Sequence, residues 1–274
     1  MWWAAKVRAV IGGALLCVGA ATVSASADEI PVKYPEGTTH GFLIVRALDG
    51  KELGAGDLVE LAEGDHMSVR LTFHFKDGSF YDETTKFSQR GAFRLISDHL
   101  VEKGPAFPQA IDATIDAAQG HVAVKYIDKG KEKTATKQMR IPPDAANGLV
   151  SIFARNITST SPPRTVSIVA TNPKPQLVQL IITPDGSETV PFGNLKRKAV
   201  RYRVKVHVGG VVGAVAKIAG KIPSDSFLWM TDGDAPAFLK AQQPLQGGPV
   251  CTIELAVPAM PQSSASSASR ASSP

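Results

Sequence analysis

Residues Lys196 to Val208 read Lys-Arg-Lys-Ala-Val-Arg-Tyr-Arg-Val-Lys-Val-His-Val. Arg201, Arg203, Lys205 and His207 alternate with Tyr202, Val204, Val206 and Val208. Guanidinium groups pair with phosphate in a bidentate fork. On a strand, side chains two residues apart share a face at a spacing of about 6.5–7 Å. Arg201, Arg203 and Lys205 would then line a cationic strip suited to a lipid phosphate, an acidic polymer or an anionic membrane surface. The competing reading is a solvated face whose cations pair with acids on neighbouring strands, Glu188 and Glu254 being the candidates.

Other reactive residue types are scattered. His66 and His74 share a strand face but lie eight positions apart, whereas a metal needs three or four ligands converging on one point. No metal site is expected, and no cofactor. A Gly-x-Ser-x-Gly elbow is missing, and nothing reads as a βαβ dinucleotide unit. Cys251 falls on the apolar parity of its segment, which suits a small core residue better than a nucleophile. The sequence contains 25 acids, so a catalytic carboxylate pair cannot be picked out from spacing alone. Asp232-Gly233-Asp234 is too short for a calcium loop. Asn156-Ile157-Thr158 is a glycosylation sequon.

The N-terminus sets the compartment. Lys6 and Arg8 precede the apolar run Ala9–Ala21, and Ala25-Ser26-Ala27 is an A-x-A cleavage site. This is the pattern of a secretory signal peptide over residues 1–27, with a mature chain starting at Asp28 and a periplasmic or secreted destination. Leu15-Leu16-Cys17 lacks the small residue that should precede a lipidated cysteine. Removing Lys6 and Arg8 from the 30 basic residues leaves 28 against 25 acidic, a net charge of +3. That is too mild for a nucleic-acid binder. No later stretch reaches the about 18 apolar residues of a membrane span. With Cys251 the only cysteine after residue 27, no internal disulfide is available, and stability must come from core burial.

The elements that must position these residues are strands. An extended lead-in covers residues 28–39. Strands are expected at His40–Leu48, His66–Phe75, Ser79–Ser88, Ala92–Val101, around Ile111–Ile115 and Val122–Tyr126, and at Ala135–Ile141. Further strands are expected at Thr165–Ala170, Gln176–Thr183, the basic stretch, Ser226–Thr231 and Val250–Val257. Short turns such as Asp77-Gly78 and Asp128-Lys129-Gly130 join neighbours in an antiparallel meander. Phe80 and Phe87 differ in parity, which predicts a bulge nearby. Pro184-Asp185-Gly186 reads as a turn.

After Pro142-Pro143-Asp144, Ala145, Leu149, Ile152 and Phe153 fall on one helical face. A single helix is predicted there, ending near Asn156, with Pro143 at its first position and Asp144 at its positive end. Gly209–Gly220 is read as a tight connection, with gating of a greasy cavity or membrane contact as the alternative. Residues 258–274 form a Ser/Ala-rich tail expected to be disordered. The expected fold is mainly β: a single domain over residues 40–257, with ten or so strands in a large curved antiparallel sheet or half-barrel and one short packed helix.

Several local signatures occur together. They are Asp77-Gly78-Ser79, Phe93-Arg94-Leu95 with Ser97-Asp98-His99, Lys103-Gly104-Pro105, and Pro142-Pro143-Asp144 with Asn147-Gly148. Later come Gly209-Gly210, Gly220, Pro223, Trp229, and Gly247-Gly248-Pro249 leading into Ile253-Glu254-Leu255. In these the chain resembles a group of uncharacterised exported bacterial proteins, over about residues 55–257. The strand order is similar to the curved half-barrel of periplasmic lipoprotein carriers, an architectural likeness that transfers no ligand-binding residue.

The functional expectation is an exported, non-enzymatic protein holding an amphipathic or lipid-like ligand in its curved sheet, with Phe73, Phe75 and Trp229 as candidate lining residues. An anionic lipid surface is the candidate partner of the basic strip. The alternatives are a cell-envelope hydrolase whose acids meet only in the fold, and a structural or partner-binding module. An apolar interior cavity favours the first, a polar cleft with convergent acids the second, and a filled core with a flat apolar patch the third.

Overall fold

The computed structural model describes residues 29–171, 173–207, 224–244 and 249–256. The signal-peptide segment, the Asp28 start, Gly209–Gly220 and the tail from 258 lie outside the described residues.

Alternating burial along the chain produces strands. In β3 (His66–Phe75), Met67, Val69, Phe73 and Phe75 are buried, while His66, Arg70 and His74 on the other parity are exposed. Seven more strands complete a first meander: β1 (Thr39–Ala47), β2 (Glu52–Glu63), β4 (Phe80–Ser88), β5 (Arg94–Lys103), β6 (Ile111–Asp116), β7 (His121–Asp128) and β8 (Lys131–Gln138). The helix α1 (Val150–Asn156) follows. A second meander comprises β9 (Arg164–Ala170), β10 (Gln176–Phe192), β11 (Leu195–His207), β12 (Ser226–Thr231), β13 (Phe238–Pro244) and β14 (Val250–Leu255).

All fourteen strands belong to one antiparallel sheet in the order β8-β7-β6-β5-β4-β3-β2-β1-β14-β13-β12-β11-β10-β9. The second meander returns so that β14 pairs with β1, Val45 opposite Ile253. The sheet's two edges are therefore β8 and β9, and the connection 139–163 must run from one edge to the other. The edges approach, since Lys137 Nζ donates to the Pro175 carbonyl at 2.9 Å, but no ladder joins them and the sheet stays open. One core cluster draws on both meanders and on α1, as a curved sheet wrapped around its own crossover requires.

Three expectations are corrected. The strand count is higher, because β2 and β13 were not legible as strands. The Pro184–Gly186 stretch is a bulge within the long strand β10, with a register shift between Pro184 and Ser187, and the chain reverses only after Phe192. The expected bulge is present, at Lys86/Phe87 in the β4–β5 ladder. The helix is seven residues long and starts at Val150 rather than after Pro143.

The stretch before α1 has another role. Ser167 N donates to Asp144 Oδ2 at 2.7 Å, and Ala146 N donates to the Ser167 carbonyl at 2.8 Å. Val169 N donates to Asn147 Oδ1 at 2.8 Å, and Asn147 Nδ2 donates to the Val169 carbonyl at 2.9 Å. Asp144 and Asn147 thus satisfy the open edge of β9, whose unpaired backbone groups would otherwise offer a docking template.

The lead-in is irregular apart from a bridge between Pro31 and Ala92, and it is anchored. Asn156 Oδ1 accepts from Lys33 N and Tyr34 N, both at 2.9 Å, and its amide donates to the Ile152 carbonyl. Asn156 is buried, so the sequon is unavailable for glycosylation in the folded chain.

Candidate ligand-binding cavity

Between the concave face and the crossover lies a cavity of about 370 Å³. Leu43, Leu58, Leu71, Phe73, Leu180, Val204, Leu228 and Ile253 supply an apolar wall from both meanders, and Ala146, Gly148, Val150, Ser151 and Arg155 supply the crossover side. The volume falls within the about 300–1,000 Å³ range of small-molecule sites. Its ionisable groups are few, and they cluster.

One group sits at α1. Arg155 ion-pairs with Glu36 and lies 3.7 Å from Glu60. Glu60 also accepts from Thr39 Oγ1 at 2.7 Å. Burial pushes the Glu36 carboxyl up to about 7, against the pull of Arg155 and with help from Glu60. Arg155 is thus opposed by two carboxylates, and it is the single cation among the described residues that line the cavity.

The second group belongs to β4 and β5. Tyr81, Glu83 and Thr85 share the inward parity of β4 with the fully buried Phe87. On β5, Asp98 and Glu102 flank Leu100, which lies opposite Glu83. The Tyr81 hydroxyl donates to Glu83 Oε2 at 2.8 Å, and Thr85 Oγ1 donates to Asp98 Oδ1 at 2.7 Å. Asp98 and Glu102 are 2% and 1% exposed. Burial raises the pKa of all three acids, because a charged carboxylate loses its hydration there. Asp98 is pushed well up by burial, with the neighbouring charge of Glu83 adding to it. Glu102 is pushed to about 8 by the same two causes. For Glu83 burial again dominates, partly offset by the Tyr81 hydrogen bond. Glu102 Oε1 has no hydrogen-bond partner.

Of the three aromatic residues expected at the ligand, only Phe73 lines the cavity. Phe75 packs edge-on against Phe107, with ring centroids 5.8 Å apart. Trp229 faces the other side of the sheet, in a small cluster with Val190, Ala199 and Leu239, and its indole N–H donates to Glu188.

The basic residues also point away from the cavity. Val204 lines it, so Arg203 and Lys205, on the opposite parity, face outward with Arg201. Arg201 lies 3.2 Å from Asp185 and 3.9 Å from Glu188, and Arg203 lies 3.7 Å from Asp185. Arg201 also sits 5.7 Å from the centre of the Phe227 ring. Farther along the sheet, Lys240 covers Trp229 at 4.3 Å, and Arg46 lies between Glu52 and Glu254. The row read along one strand is part of a mixed-sign ladder across several strands, where partners stand about 4.8 Å away. The two arginines therefore do not form an unpaired cationic strip. Expected costs are modest, since exposed ion pairs contribute about 0–1 kcal/mol. Arg203→Gln should shift the melting temperature by no more than about 2–4 °C. Arg201→Gln, which loses two carboxylates and the Phe227 face, should shift it more. Paired thermal melts check the ranking.

The remaining candidates are structural. His40 and His99 contact Asp57 and Asp112 separately, at 2.8 and 2.9 Å. Among the described residues no three His, Cys, Asp or Glu side chains converge as a metal set. Cys251 is buried, and burial pushes its thiol up to about 11.

Arg155, Glu60, Tyr81 and Glu83 are the ionisable residues of the described lining, and sequence reasoning missed all four as cavity residues. A usable signal was present: Glu83 on β4, and Asp98 and Glu102 on β5, occupy positions that alternate in step with core residues. Comparison with protein-family models, curated proteins and solved structures finds no match to this chain.

Proposed function

We propose that the protein binds an amphipathic, largely apolar ligand in this cavity without transforming it, acting as a carrier or holder in the exported compartment that residues 1–27 imply. The observation that carries the reading is the apolar cavity of about 370 Å³ between the curved sheet and its crossover. A filled core would have favoured a structural module. A hydrolase needs an acid or base open to substrate and water, whereas Glu60 is 4% exposed and engaged by Thr39 and Arg155, and Glu83 is engaged by the Tyr81 hydroxyl. The likeness to the half-barrel of periplasmic lipoprotein carriers belongs to the same proposal.

The test uses Nile red, a neutral dye that brightens in apolar surroundings. The folded protein should bind it with a saturable rise in emission. Leu71→Trp or Val206→Trp, each filling the cavity from a different wall, should weaken binding by about tenfold or more. A dye that stays dim with folded protein, or binds both filled variants as well as the parent, would rule out the cavity as a ligand site.

A further inference from the structure

The polar lining is biased toward acid. Arg155 is matched by Glu36 and Glu60. Glu83 reaches the cavity with the Tyr81 hydroxyl as its hydrogen-bond donor, and Asp98 and Glu102 stand behind it on β5. Glu102, opposite Tyr81 in register and 1% exposed, leaves Oε1 unpartnered within this cluster. No cation from the described lining approaches these carboxyl groups. An anionic head group would find Arg155 already neutralised and would face further carboxyls. A cationic head group would supply the missing counter-charge, and charge-assisted hydrogen bonds in a desolvated site are the strong ones.

We propose that the cavity takes a lipophilic ligand bearing a protonated amine, with its ammonium group seated against Glu83. The inference rests on the cavity being the ligand site. The groups facing Glu83 are Tyr81 on its own strand, Asp98 and Glu102 from β5, and Arg155 across the cavity. β3 presents Val69, Leu71 and Phe73 and adds no charge. Burial disfavours the charged form of Glu83 in the empty cavity; seating the ammonium offsets that penalty, and any proton held there leaves to buffer as the carboxylate pairs with the cation.

Decylamine, decanol and decanoate share one chain and differ in head charge. Each is titrated against the full mature protein carrying Nile red. Decylamine should displace the dye at a concentration about tenfold or more below decanoate. Glu83→Gln should bring decylamine to the level of decanol and leave decanol unchanged. Should that variant not fold, calorimetry of the parent in two buffers of different ionisation enthalpy reads the same chemistry, with more proton release expected on binding decylamine than on binding decanol. Equal displacement by decylamine and decanoate, an unchanged ranking in Glu83→Gln, or proton release no greater for decylamine than for decanol overturns the amine assignment. If decanol displaces the dye in any of those cases, the cavity reading survives alone. If none of the three ligands displaces it, both fall.

Discussion

Gly148→Ala is expected to lower the melting temperature by about 5–20 °C. Gly148 has φ +64, a conformation that costs an L-residue about 1–2 kcal/mol. Space is the second obstacle. A Cβ there would lie 1.9 Å from Thr85 Oγ1 and 2.8 Å from Thr85 Cβ. Overpacking of this kind costs about 1–3 kcal/mol when neighbours give way. Thr85 is 1% exposed and donates to Asp98, so it has little room to yield. The crossover must then lift from β4, which also opens the cavity wall that Gly148 helps to form. Gly78→Ala, at φ +84 with nothing within 4 Å of the added Cβ, is the control: it carries the backbone strain without the collision. Melts that show the two variants equally destabilised would mean that the crossover does not press on Thr85 as described.

Raising the pH from 5 to 9 should destabilise the fold, by on the order of 2–4 kcal/mol once the full shift is discounted for relaxation of the buried site. Glu102 carries this together with Asp98 and Glu83, which burial raises in the same direction. Its pKa is 4.5 ordinarily and about 8 in the folded chain. Between those values the folded state holds a proton that the unfolded state has released, so the unfolded state binds fewer protons and stability falls as pH rises. The stabilisation is complete below about 4.5 and gone above about 8. Glu36, raised to about 7, acts with the same sign over the lower part of the window. Glu102→Gln, neutral at every pH, should flatten the profile and melt higher than the parent at pH 9. Thermal melts across pH 5–9 decide it. A parent profile that does not fall, or one that Glu102→Gln leaves equally steep, would show that Glu102 ionises without penalty.

The β character, most strands of the first meander and the basic strand were legible because burial alternates with period two. In β3 the pattern from Met67 to Phe75 is nearly the whole argument for the strand. β2 was hidden by Gly54, Ala55 and Gly56, residues of weak strand propensity. Only the fold explains the two glycines: a Cβ on Gly56 would lie 1.9 Å from the Thr72 carbonyl oxygen, and one on Gly54 would lie 2.5 Å from that of His74. The apolar set Ala145, Leu149, Ile152 and Phe153 was correctly assigned to the core, yet half of it is not helical. Asp144 and Asn147 are used to cover β9, and a helical period cannot show that a side chain will serve a strand 22 or 23 positions later.

The candidate site divides in the same way. Phe73 could be placed in the interior from its own strand, because parity is a local property. Trp229 and the arginine row could not be assigned a role, because their partners come from neighbouring strands: Glu188 for the indole, Asp185 and Glu188 for Arg201. The cavity itself arises where β14 closes on β1 and the crossover spans the gap between β8 and β9. That closure brings Arg155 to Glu36 and Glu60, at sequence separations that no spacing rule reaches. Local alternation determined which residues face inward. Only the tertiary structure decided which of them meet, since pairing across strands and across the crossover depends on register and curvature rather than on sequence neighbourhood.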